Sequence, residues 1–210
     1  MYLPAHFQQG DPAQMHALMR AHPLAWIVTH AAEGLAADPI PLELDTKAGP
    51  HGTLRGHVAR ANPLWRADGT PVLALFQGPQ AYVSPGWYPS KAQTHRAVPT
   101  WNYAVVEARG TLRAVEDAPW LRALVARLTD HHEATQSQPW SLSDAPGPYV
   151  DQMLRAIVGI EIPVERLSGK WKLSQNRSLE DRQGVAGGLE ADGRPTARET
   201  AAMVRAAGEP

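Results

Sequence analysis

The stretch YVSPGWYPSKAQTHRAVPTWNY, residues 82–103, decides how the rest of the chain is read. Two Trp, three Tyr and three Pro share it with Lys91, His95 and Arg96 and with the hydroxyls of Ser84, Ser90, Thr94 and Thr100. The prolines rule out one uninterrupted helix or central strand. The aromatic content sets it apart from a solvated linker. It reads as a fixed, aromatic-lined loop between two strands, Ala81–Ser84 and Thr100–Val106. Such a loop presents Lys91 and several hydroxyls to an anionic, partly aromatic ligand. The other reading is a structural corner, with Trp87 and Trp101 packed into the core and Lys91 solvated.

Outward from this stretch, short apolar runs accumulate. Pro71–Gln77 reads as a strand turned by Gly78-Pro79, and Thr100–Val115 as two strands separated by a bend at Gly110. Leu24–Thr29 precedes a turn around Glu33-Gly34, and Leu35–Leu44 is extended with a break at Pro39 and Pro41. His51–Val58 and Ala156–Ile162 are further strands, the second ended or placed at an edge by Pro163. Val164–Leu167 continues extended before a turn at Gly169. This number of short strands favours a barrel or closed sheet. No Gly-rich strand-to-helix fingerprint marks a dinucleotide fold or a P-loop.

Helices carry clear start signals. Asp11 caps and Pro12 opens a helix to about Ala21, with Met15, Leu18 and Met19 as its core stripe. Asp117 caps a second helix, with Pro119 in its first turn and Trp120, Leu121, Leu124, Val125 and Leu128 facing inward, through Glu133. A short helix follows around Tyr149–Arg155. A last one spans Thr196–Ala207 and docks through Met203 and Val204.

Two further segments carry polar chemistry. In HVARANPLWR, residues 57–66, Arg60 offers a charge-assisted fork and Asn62 both donates and accepts. That suits a phosphate or a polyol, or else a solvated Arg beside a turn-forming Asn. In GKWKLSQNRSLEDRQG, residues 169–184, Lys172, Ser174, Gln175 and Asn176 form a polar wall above Trp171. Alternatively Lys170, Lys172, Arg177 and Arg182 contact phosphates on DNA, or the run is a solvated turn and short helix. His131-His132-Glu133 lacks metal-ligand spacing, since adjacent histidines diverge on a helix. No nucleophile-elbow sequence selects a Ser-His-Asp set. Neither a metal site nor a catalytic residue is assigned.

The net charge of −1, with nine His uncounted, argues against a strongly electrostatic nucleic-acid surface. The chain has no cysteine, which excludes disulfides, thiol nucleophiles and thiolate-held clusters. The start MYLPAHFQQGDP lacks the order of a secretory signal, and no apolar run is long enough to span a bilayer. A soluble cytoplasmic protein without a membrane partner is expected.

Assembled, the motifs resemble the PaiB family of FMN-binding negative transcriptional regulators over roughly residues 1–190. The resemblance rests on GHVARANPLW at 56–65, FQGPQAYVSPGWYPSK at 76–91, VPTWNY at 98–103 and LTDHHE at 128–133. PWSLSDAP at 139–146, AIVGIEI at 156–162 and GKWKLSQNR at 169–177 complete it. At QTHRAV, residues 93–98, His95 is followed by Arg96 where the family form places a glycine. The resemblance implies a predominantly antiparallel β fold: an FMN-binding split β-barrel with surrounding α-helices and a C-terminal helical extension. Residues 1–183 would form the split-barrel domain and 184–210 a flexible or helical extension. It also implies a homodimeric repressor with FMN as cofactor and DNA as a candidate partner. In that setting Arg60 and Lys91 contact the phosphate, and Ser90 and Thr100 add hydrogen bonds. Trp101 bounds the ring plane, Asn62 and Gln175 address ring carbonyls or polyol, and Lys172 completes the wall. The alternative is a flavin-dependent oxidoreductase related to pyridoxamine-phosphate oxidases or flavin reductases, built from the same residues.

Overall fold

Residues 1–31 and 34–207 are described by a computed structural model. Glu33 of the expected turn and the last three residues of the expected extension lie outside them. In chain order the elements are β1 (Gln8–Gln9), α1 (Pro12–Ala21), β2 (Leu24–Ala31), β3 (Gly34–Pro41), β4 (Glu43–Asp45) and β5 (Thr53–Ala59). Then come β6 (Pro71–Val83), α2 (Lys91–Thr94), β7 (Thr100–Thr111), β8 (Arg113–Val115) and α3 (Ala118–Glu133). The chain continues through α4 (Gly147–Arg155), β9 (Ile157–Lys172), α5 (Leu179–Asp192) and α6 (Pro195–Ala206). No helix among the described residues is long and apolar enough to cross a membrane.

The expected split β-barrel is not what forms. Hydrogen bonds link the strands in the order β3-β2-β6-β7-β9-β5-β4, with β1 and β8 each on β9. That path is open, and no ladder joins β3 to β4 among the described residues. The architecture is a mixed α/β fold built on an antiparallel sheet, not a predominantly β barrel. A physical reason lies in β3: Pro39 and Pro41 sit inside it, opposite Trp26 and Leu24, and supply no amide to a further neighbour. They make an edge, and the break expected at Pro39 is absent, since β3 runs on to Pro41.

Other expected breaks are also absent. β6 passes straight through Gly78-Pro79, and β9 through Pro163 and Gly169. These glycines answer to close packing. A Cβ on Gly78 would stand 2.7 Å from the Leu18 side chain, and one on Gly169 2.8 Å from Met15 Sδ. At Gly110 a Cβ would run into the Pro163 carbonyl, so β7 continues to Thr111 and the break falls at Leu112.

Chain contacts divide the molecule into two units. The first comprises Met1–Ala21, Gln77–Glu107 and Ser168–Pro210. In it α1 buries Met15, Leu18 and Met19, as its spacing predicts, and Asp11 Oδ1 accepts from the Ala13 amide. The 82–103 stretch folds as two turns and the short α2, tied down by α5. Buried Asp181 accepts from the Ser90 amide (3.1 Å) and hydroxyl (2.8 Å), and Trp87 lies against Gly184 and Gly188. Val204 of α6 is buried as expected.

The second unit comprises His22–Phe76 and Ala108–Leu167. Here β5 pairs with β9 from Thr53↔Pro163 to Ala59↔Ile157, and β8 lies on β9 as well. Asp117 Oδ1 accepts from the Trp120 amide at the start of α3, and Leu121 packs with Val150 and Leu154 of α4. Arg55 bridges Asp45 and Glu161, each at 2.9 Å.

Candidate functional site

A small cavity of about 150 Å³ opens in the first unit, lined by Phe7, Tyr88, Thr100, Asn102, Lys172, Ser174, Asn176 and Arg177. Three pieces of backbone bring these groups together. β7 alternates, which puts Thr100 and Asn102 on one face and Trp101 on the other. Asn102 is 1% exposed and Trp101 45%. β9 ends at Lys172, and the chain then turns through Ser174, whose φ of 65° is left-handed. A non-glycine residue held there costs on the order of 1–3 kcal/mol unless its surroundings fix it. Asn102 fixes it: its Nδ2 donates to the Ser174 hydroxyl at 3.0 Å.

The cavity carries surplus positive charge. Lys172 Nζ donates to Thr100 Oγ1 at 2.5 Å and to the Trp101 carbonyl at 2.6 Å. Arg177 stacks its guanidinium 5.1 Å from the Tyr88 ring centre. Neither cation forms an ion pair with a described residue, and no carboxylate lines the cavity. Burial, then the charges of Lys170 and Arg177, hold the Lys172 ammonium below the ordinary lysine range. Burial pushes the Tyr88 hydroxyl up, against the opposing pull of Arg177 and Ser174 beside it. Two cations, hydroxyls and side-chain amides converging in a small space offer the donors that an anion requires.

Of the residues singled out from the sequence, Thr100, Lys172, Ser174 and Asn176 meet here, joined by Arg177 from the DNA alternative. Gln175 is spent nearby on its own turn, accepting from the Leu173 amide at 2.7 Å and donating to the Trp171 carbonyl at 2.5 Å. Ser90 is held by Asp181, and the Lys91 side chain is exposed at the start of α2. Trp101 instead donates to Gln80 Oε1 and meets Tyr82 edge-on, with ring centres 6.2 Å apart.

Arg60 and Asn62 belong to the second unit and have partners there. Arg60 donates to Glu116 at 2.6 Å and to the carbonyls of Arg155 and Ile157. Asn62 donates to Asp38 and accepts from the Leu64 amide.

Among the basic residues first assigned to DNA, Lys170 is buried against the Tyr2 and Tyr103 rings and donates to the Tyr2 carbonyl. Arg182 buries its Nε without a partner. Arg177 lines the small cavity beside Lys172. Sequence reasoning missed Phe7, Tyr88 and Asn102. The one available signal was Asn102, an amide at an inward position of β7 followed on that side by Ala104, Val106 and Ala108.

The family described as "putative FMN-binding domain" matches residues 1–166. The chain belongs to it, and with it to the FMN-binding split-barrel superfamily. Membership does not restore the closed barrel, since the sheet here is open. An uncharacterized protein of Emericella nidulans is 35% identical, covering 100% of this chain and 98% of that one. The protease synthase and sporulation protein PAI 2 of Bacillus subtilis is 30% identical over 97% of this chain and 96% of its own. The FAD and heme binding protein of Mycobacterium smegmatis shares the fold, with a TM-score of 0.58 at 15% identity, covering 86% of this chain and 80% of that one.

Proposed function

We propose that this chain is a cytoplasmic, FMN-binding transcriptional regulator that works as a homodimer and seats the flavin phosphate in the Lys172–Arg177 cavity. The observation that carries the reading is the pair of cations without a carboxylate partner. A phosphate monoester carries close to two negative charges at neutral pH, matching one lysine and one arginine. At about 150 Å³ the cavity takes a phosphate-sized group and leaves the remainder of the flavin outside it, since whole small-molecule sites run to roughly 300–1,000 Å³. Bound FMN would supply the redox-active ring. Thr100, Ser174, Asn102 and Asn176 would orient the phosphate oxygens, and Lys172 and Arg177 would neutralise them.

The regulatory half of the proposal draws on the Bacillus relative, named for protease synthesis and sporulation and matched over nearly all of both chains. DNA is the partner to be tested. The decisive measurement is a titration of purified protein with FMN and with riboflavin, followed by flavin fluorescence, together with the solution mass. FMN binding that exceeds riboflavin binding, on a dimer, is the expected result. Equal affinity for the two ligands overturns the phosphate site. Fluorescence anisotropy at low salt with promoter and unrelated DNA tests recognition. Steady oxidation of NADH or NADPH by the FMN-loaded protein would replace the regulator with an oxidoreductase.

A further inference from the structure

A cavity of about 580 Å³ in the second unit lies over α3 and α4. Its apolar floor is Leu121, 2% exposed, and Leu154, with Ala118 and Pro119 beside them. Its rim is charged: Arg60, Arg122 and Arg155 against Glu116 and Asp151. Arg60 pairs with Glu116, and Arg122 with Asp151. Arg155 forms no ion pair with a described residue, so the rim carries one positive charge over. Arg60 also holds the backbone carbonyl of Arg155 at 3.0 Å, which fixes where that arginine leaves the chain.

We propose that this groove is a binding site for an organic monoanion with an apolar body, of the class of medium-chain carboxylates. The volume falls within the range of small-molecule sites. Burying an alkyl chain against Leu121 and Leu154 gives the non-directional part of the affinity. Arg155 then receives the carboxylate through a bidentate, charge-assisted pair. Glu116 and Asp151 on the rim make the groove a poor seat for a dianion, unlike the Lys172 cavity. The site stands apart from the flavin reading and does not rest on it.

Calorimetric titration of the full chain with octanoate, octanol and acetate tests it. Octanoate should bind more tightly than either, because only it offers both a chain and a charge. Arg155→Gln should weaken octanoate roughly tenfold and leave octanol unchanged, as for the loss of one charged hydrogen-bond partner. Arg155 is exposed, so the variant is expected to fold, and its melting curve checks that. Lys172→Met should leave octanoate binding intact. No octanoate binding, equal binding of octanol, insensitivity to Arg155→Gln, or loss in Lys172→Met would each overturn the proposal.

Discussion

Lys172 reaches across from the end of β9 to Thr100 at the start of β7, ammonium to hydroxyl in 2.5 Å. That contact orients a cation whose remaining donor capacity faces a cavity shared with Arg177. Lys172→Met should therefore weaken FMN binding by about 1.5–3 kcal/mol, or roughly ten- to a hundredfold, the usual worth of a hydrogen bond to a charged group. Riboflavin, which lacks the phosphate, should lose little. Lys91→Ala is the control, since that exposed side chain lies outside the cavity lining and its loss should move neither ligand. Paired fluorescence titrations read all three. Equal losses for FMN and riboflavin in Lys172→Met would reject Lys172 as a phosphate contact.

The same residue sets a pH dependence. Only protonated Lys172 attracts an anion, and burial with two neighbouring cations lowers the pH at which its proton leaves. FMN affinity should hold through neutral pH and decline on the alkaline side earlier than an ordinary lysine, near 10.4, would require. The acid limb should follow the second phosphate ionisation, near about 6. Riboflavin binding, measured over the same range, should lack the acid limb. Ionisation of the ring that both ligands share cancels when their alkaline limbs are compared.

How much of this was legible from the chain differs by element. Helices announced themselves through local chemistry: Asp11 and Asp117 accept at their helix starts as their positions imply. The long strands did not. Gly78, Gly110 and Gly169 read locally as turns, yet each is small because a side chain or carbonyl of another element approaches it, a tertiary fact without a local signature. The site was half visible. Lys172 and Thr100 stood out by type, but the pairing of Asn102 with Ser174 depends on a 72-residue separation in sequence. Arg60 and Asn62 looked like ligand groups because the types that grip phosphate also grip carbonyls and carboxylates.

His57 gives a stability prediction. It is half-buried, its Nδ1 has no partner, and burial lowers its pKa. The folded state thus prefers the neutral ring, while the unfolded chain takes a proton below about 6.5. The stability associated with neutral His57 is fully present above that pH and is lost as pH falls towards the folded value. The slope for one proton reaches about 1.4 kcal/mol per pH unit. His57→Phe should remove this contribution. Urea denaturation from pH 7.5 down to about 5 should show wild type losing stability faster than the variant, the other histidines cancelling in the difference. Parallel curves would sink the idea.

The last prediction concerns the anchoring of the 82–103 stretch. Gly188 sits inside α5, where alanine is ordinarily favoured by about 1 kcal/mol. Here a Cβ would run into the indole of Trp87. Overpacking of that kind costs about 1–3 kcal/mol. Gly188→Ala should therefore destabilise the protein in spite of helix propensity, lowering Tm by about 2–4 °C per kcal/mol for a chain of this size. Trp87→Ala should itself be destabilising, because it removes the ring that α5 accommodates. In that background the obstruction is gone and only propensity remains. Gly188→Ala should then be neutral or stabilising by up to about 1 kcal/mol. The double-mutant cycle thus changes sign at position 188 with the identity of residue 87. Equal effects in both backgrounds would mean that Trp87 does not rest on Gly188 in solution. The tie between this stretch and α5 would then rest on the Ser90–Asp181 hydrogen bonds and on the Trp87 carbonyl and Pro89 ring against Gly184.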